Sequence, residues 1–153
     1  MSDSNDPTTL RELTERAERS WQGWVEAIEG IPDERLAEPM VGHWSGKDLL
    51  GHVAFWEDWG VGESQRLLAE QPETGEDMDA VNERQVEESK NAVVAAQKRY
   101  RDEAHGRLMA FLRTIPEDSP HLPEVIETIG SETYGHFDEH AAQVRAWREA
   151  EGL

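Results

Sequence analysis

Apolar positions along the chain recur at steps of three and four, the spacing that collects side chains on one face of an α-helix. Leu10, Leu13, Ala17, Trp21, Trp24 and Ile28 form the first such stripe. Asp6-Pro7 ahead of it pairs a capping carboxylate with proline at a first helical position, and Gly30 with Ile31-Pro32 ends it, so a first helix is expected from there to Gly30. Residues 31–44 contain Pro32, Pro39 and Gly42 and lack a strand pattern; they read as an irregular connector that packs Leu36 and Met40 under the helices. A second helix is expected from Ser45, which with the Asp48 carboxylate makes a capping-box-like pattern, and its inward face holds Leu49, His52, Trp56 and Trp59.

The polar, acidic stretch from Gln71 to Asp79, with Pro72 and Gly75, reads as an exposed loop. Val86, Val93, Ala96, Tyr100, Ala104, Leu108 and Leu112 then form a stripe that predicts helix from near Asp79 to Leu112, in one piece or two, with Gly106 as a possible kink. Residues 122–130 (LPEVIETIG) have proline at the start and glycine at the end of a short helix. A last helix follows, capped by Ser131 and running to Glu151, with His136, His140, Gln143 and Trp147 along one face. The pattern predicts a single all-α domain, a four-helix bundle with long connectors, with residues 1–6 as a flexible tail.

Composition narrows the function. A chain of 153 residues is long enough for one core. It has no cysteine, which excludes disulfides, thiolate ligands and a cysteine nucleophile, so a bound metal must rely on nitrogen and oxygen ligands. Asp and Glu number 33 against 15 Lys and Arg, a formal charge of −18 that repels nucleic-acid phosphates and anionic lipids. Neither is expected as a partner. No apolar run approaches the ~18–20 residues of a membrane span and no signal pattern opens the chain, so a cytoplasmic location is expected.

His136 and His140 stand four apart, one turn of helix, the separation at which two imidazoles can share one ion. His52, on the inward face of another helix, can supply the third ligand and leave a fourth position open. Spacing alone equally admits His52 as a hydrogen-bonded core histidine with the other two on a solvated face. His43, His105 and His121 lack such a relationship and read as surface or loop residues.

Two segments carry a resemblance. Residues 44–57 (WSGKDLLGHVAFWE) are similar to the second-helix motif of the DinB/YfiT-like superfamily, W-S/T-x-x-D-x-L-x-H, and residues 133–147 (TYGHFDEHAAQVRAW) to its fourth-helix motif, H-x-x-E-H-x-x-x-[IV]. Order and spacing match, the similarity extends over about residues 8–150, and within the superfamily the likeness leans to the ClbS/DfsB-like branch. The resemblance implies an up-down-down-up bundle, often dimeric, that binds zinc or nickel through His52, His136 and His140. It also implies a range of activities: transfer or isomerisation with low-molecular-weight thiols such as bacillithiol or mycothiol, hydrolysis of a reactive cyclopropane, or none known.

An ion held by three neutral imidazoles can activate water or a thiol, and without cysteine the thiol must be a cosubstrate. The expectation is a metal-dependent hydrolase or thiol S-transferase acting on an electrophilic small molecule; the alternative is a non-catalytic binding or stress-protection protein. Trp56, Tyr100, Glu139 and Gln143 are candidates for the surroundings of the ion, with no acid or base assigned. Glu57 sits off the face of His52, and Asp48 reads as a cap. Trp44, Trp56, Trp59 and Trp147 could line an aromatic pocket, though core packing explains them as well. Val81, Val94 and Met109, outside the main stripe, fit either an extra interface, as in a homodimer, or cover for the short helix near residue 126.

Overall fold

The computed structural model describes residues 5–73 and 75–153 and is helical apart from one small hairpin. Helix α1 spans Leu10–Ile28. Its N-cap is Thr9, not Asp6: the Thr9 hydroxyl accepts from the Glu12 N–H at 3.1 Å, a local Thr-x-x-Glu pairing that outcompetes the Asp6-Pro7 start. Arg16 reaches back along the chain, donating to the Asn5 carbonyl at 3.1 Å and lying 3.7 Å from the Asp6 carboxylate. The rest of the expected tail, residues 1–4, lies outside the described residues.

The connector is more regular than its sequence suggests. A single turn, α2 (Asp33–Leu36), leads into antiparallel strands β1 (Pro39–Val41) and β2 (Trp44–Ser45), with Val41 opposite Trp44 and Gly42, at φ 59°, in the turn between. Strands of three and two residues are too short to show alternation. Leu36 is fully buried and Met40 packs on the core, as expected. Both press on Gly46, where a Cβ would stand 2.8 Å from Leu36 Cδ2 and from Met40 Cε.

Helix α3 (Gly46–Leu68) opens with a full capping box: the Ser45 hydroxyl accepts from Asp48 N–H and the Asp48 carboxylate from Ser45 N–H, both at 3.0 Å. The next expected helix is two, α4 (Met78–Ser89) and α5 (Val94–Leu112). The break falls before Val93, while Gly106 lies within α5. Val93 is consequently an exposed N-cap rather than a core residue, and the stripe that α5 buries is Gln97, Arg101, Ala104, His105, Leu108 and Leu112.

Helix α6 (Leu122–Gly130) does not stop at its glycine. Gly130 keeps right-handed helical angles and the chain runs through a π-helical turn, Ser131–Gly135, into α7 (His136–Glu151). Ser131 is therefore inside a continuous rod and caps nothing. Gly130 serves packing instead: a Cβ there would lie 2.7 Å from the Tyr134 hydroxyl. Thr133 donates its hydroxyl to the Ile129 carbonyl at 2.7 Å, and the Arg16 guanidinium lies 4.0 Å over the Tyr134 ring, so both sides of the turn are pinned.

α3 packs on α4, α5 and α6, and α1 lies along α7. One core cluster gathers Trp24, Ile28, Leu49, Val53, Phe137 and Val144; the other gathers Leu13, Leu108, Leu112, Val125 and Ile129. Each large side chain so buried contributes roughly 1.5–3 kcal/mol. α3 runs antiparallel to the α6–α7 rod, so that His52 meets His136 and His140 while Gly60, two turns on, meets Ile129 and Glu132. Among the described residues no helix is long and apolar enough to cross a membrane.

Candidate metal centre

His52 stands on the second turn of α3, His136 and His140 on the first two turns of α7, and the antiparallel packing brings the three together. His52 Nε2 and His136 Nε2 are 3.0 Å apart. One ring nitrogen from each residue lies within 4.8 Å of the others. Two nitrogens bound at ~2.0–2.1 Å to a tetrahedral zinc sit about 3.3 Å apart, so the cluster is near the spacing that one ion requires. Among the described residues the group contains no fourth ligand.

The electrostatics agree with that geometry. Burial, and after it the positive charge of neighbouring histidines, pushes His52 and His136 down to about 3; burial also lowers His140. All three rings are therefore neutral at pH 7, the form that donates a lone pair to a metal. Gln143 Oε1 can only accept, so the 2.7 Å contact makes His140 Nδ1 the donor and leaves its Nε2 lone pair free. Nδ1 of His52 and of His136 are buried without a hydrogen-bond partner. Three converging neutral imidazoles, two of them buried and one half-buried, suit a divalent transition metal, whose charge would offset the cost of burying unpaired nitrogen lone pairs.

The walls are aromatic. The Trp44 ring tilts against His52 at 4.7 Å. Trp56, one turn beyond His52 and buried, donates its indole N–H to Asn82 Oδ1 at 2.6 Å and packs edge-on against Phe55 and Trp59. The remaining candidates separate: Gln143 touches the site through His140, Glu139 is exposed, and Tyr100 interacts with Asp58 on another side of α3. Burial, then the Asp58 carboxylate, pushes the Tyr100 hydroxyl up to about 12. Asp48 is the cap expected of it, and it also accepts from the Ser89 hydroxyl at 2.8 Å. Trp147 lies beneath the Arg35 guanidinium, 5.3 Å from it.

His105 corrects its reading as a surface residue. It is buried, stacked on Trp21 at 4.1 Å, with Nδ1 2.9 Å from Glu57 and Nε2 2.7 Å from Glu18. Its place between Ala104 and Leu108 on the α5 stripe was the signal for this burial. Glu57 is 1% exposed and turned toward His105, away from the histidine cluster. His43 is exposed, and His121 sits 3.0 Å from the Glu70 carboxylate near the surface. The π turn was not singled out from sequence, since an inserted helical residue leaves no periodic trace.

A model of the DinB superfamily matches residues 16–150. The chain belongs to the DinB superfamily. Two solved structures share the fold of this DinB-superfamily protein. An uncharacterised protein from Escherichia coli UTI89 is 14% identical, with a TM-score of 0.82 and coverage of 99% of each chain. A protein from Streptococcus pneumoniae is also 14% identical, with a TM-score of 0.73 and coverage of 94% of this chain and 92% of that one. At such identity the likeness shows the fold alone. No curated protein matches the sequence. Membership in the superfamily and the buried histidine cluster are together compatible with a metal-binding protein.

Proposed function

We propose that this DinB-superfamily protein is a metal-dependent enzyme that binds one zinc or nickel ion through His52, His136 and His140 and acts on an electrophilic small molecule, as a hydrolase or as a low-molecular-weight-thiol S-transferase. The observation that carries the reading is the convergence of three neutral ring nitrogens with no fourth protein ligand among the described residues, the donor set of a catalytic rather than a structural site. When bound, a divalent ion supplies a charge that acidifies water or a small thiol sharing the site. The chain's residues do the rest. Gln143 holds the His140 ring in the required tautomer, and the Trp44 ring covers His52. With no cysteine in the chain, a thiol nucleophile comes from a cosubstrate.

The test uses protein reconstituted with zinc or nickel, assayed for hydrolysis of p-nitrophenyl acetate and for conjugation of a small thiol to 1-chloro-2,4-dinitrobenzene. The expected result is turnover of at least one probe that depends on metal and disappears in His140→Ala. One ion per chain with no turnover of either would favour a non-catalytic binding protein; no ion would remove the proposal.

A further inference from the structure

Two polar pairs that straddle His52 set the register of α4 on α3. One turn before His52, Asp48 accepts from the Ser89 hydroxyl at 2.8 Å; one turn after it, the Trp56 indole donates to Asn82 at 2.6 Å. Rising numbers on α3 thus meet falling numbers on α4, and the α4 residue midway between the two pairs, at the level of His52, is Gln85. Its amide lies over Gly51, the residue before His52: a Cβ on Gly51 would stand 2.8 Å from Gln85 Nε2. The missing side chain at Gly51 lets the Gln85 amide reach the turn of α3 that carries the first histidine.

Gln85 is 8% exposed, and its Oε1 is buried with no hydrogen-bond partner. Nδ1 of His52 is buried in the same condition. The two atoms are complementary. An amide oxygen only accepts, and a neutral imidazole that gives its Nε2 lone pair to an ion carries its proton on Nδ1, which then only donates. Leaving both unpaired in the interior is costly, and buried polar atoms are seldom left so. Among the described residues one other buried side-chain oxygen lacks a partner, the Ser64 hydroxyl, three turns farther along α3. The last torsion of a glutamine side chain is broad, so the Gln85 amide can turn without strain. Gln97 offers a contrast. It is equally buried over Gly51, with Nε2 2.5 Å from where a Cβ would stand, but it comes from α5 and donates to the Lys47 carbonyl at 3.4 Å, one turn back from Gly51.

We infer that Gln85 is the positioning residue of His52: its Oε1 accepts from Nδ1–H and holds the ring with Nε2 turned toward His136 and His140. Gln143 makes the same contact with His140, so two glutamines from different helices fix the same tautomer on two of the three rings. The role rests on the three-histidine reading above. It ties α4, which supplies no ligand, to the site through the ring of one that α3 supplies.

The experiment uses zinc as the probe. Zinc affinity is measured by competition with a chelator for wild type, Gln85→Leu, Gln85→Glu and Gln97→Leu, and the ring N–H protons of 15N-histidine-labelled, zinc-bound protein are followed by NMR. Gln85→Leu should bind zinc about 10–100-fold more weakly than wild type. Gln85→Glu keeps an acceptor oxygen and should restore most of that loss, whereas Gln97→Leu, which removes an equally buried amide, should bind as wild type does. One histidine Nδ1–H signal of the zinc-bound wild type should shift or vanish in Gln85→Leu and stay in place in Gln97→Leu. Gln85→Met serves if Gln85→Leu does not fold. Wild-type affinity and unmoved ring signals in Gln85→Leu, or an equal loss in Gln85→Leu and Gln97→Leu, would overturn the role of Gln85 while the metal reading stands. Failure of the wild type to bind zinc would overturn both.

Discussion

Gly51 and Gly106 are both helical glycines, and the same substitution should act on them with opposite sign. Replacing an interior helical glycine by alanine is worth about 1 kcal/mol in favour of the helix. At Gly106, and likewise at Gly62, a Cβ meets nothing within 4 Å, so that gain should appear nearly whole. At Gly51 a Cβ would stand 2.5 Å from Gln97 Nε2 and 2.8 Å from Gln85 Nε2, closer than atoms can approach. Both amides are buried at the junction of α3, α4 and α5, and Gln97 is bonded to the Lys47 carbonyl at 3.4 Å. Moving them costs about 1–3 kcal/mol as overpacking, and a further 1–3 kcal/mol if one buried amide loses its partner. Set against the helix gain, Gly51→Ala should destabilise by about 1–5 kcal/mol when a buried amide loses its partner and by at most about 2 kcal/mol when both amides keep theirs, whereas Gly106→Ala and Gly62→Ala should stabilise by up to about 1 kcal/mol. Urea unfolding at fixed pH, with unchanged m-values, reads all three. A Gly51→Ala protein as stable as Gly106→Ala would refute the close packing of α4 and α5 on the turn that carries His52.

Other outcomes follow from the same structure. Ser45→Ala removes one arm of the α3 capping box and should cost about 1 kcal/mol in urea unfolding. Gln143→Leu frees the His140 ring and should weaken zinc binding by about 10–100-fold in a competition titration with a chelator, while the fold survives. The Glu18–His105–Glu57 cluster should leave a mark on stability against pH. The hydrogen bond to His105 lowers Glu18 despite some burial; burial works against charge on His105, but its bonds to Glu57 and Glu18 outweigh this and raise it. The Glu18 contribution is thus present above about pH 4.5 and lost as pH falls, and the His105 contribution is present below about 6.5 and lost as pH rises. Burial also raises Glu57, the more so without His105 beside it, so acid relieves the variant further. The stability difference between wild type and His105→Gln should therefore peak in the mildly acidic range and shrink on both sides; a difference that does not vary with pH would contradict the charged cluster.

Where a side chain's role depends on one helix and a strong period, the sequence carried it. The Ser45–Asp48 cap, the face bearing His52, and the one-turn step from His136 to His140 were all legible, because each is a rule of spacing within one element. The choice between a metal cluster and isolated core histidines was not decided by spacing, since it depends on α3 meeting α7 at the right height. Local competition hid the rest. Thr9 displaced Asp6 as a cap, and Gly130, a stop signal by composition, was needed under Tyr134. His105 was readable from its stripe, but its partners Glu57 and Glu18 come from two other helices, and no pattern within α5 points to them.

The most direct measurement is elemental analysis of the protein, purified without a metal-binding tag and reconstituted with zinc or nickel, beside His52→Ala. The account predicts about one ion per chain in the wild type and none retained by the variant, with both folded. A wild type that takes up no ion, or a variant that binds as much, would contradict the three-histidine centre.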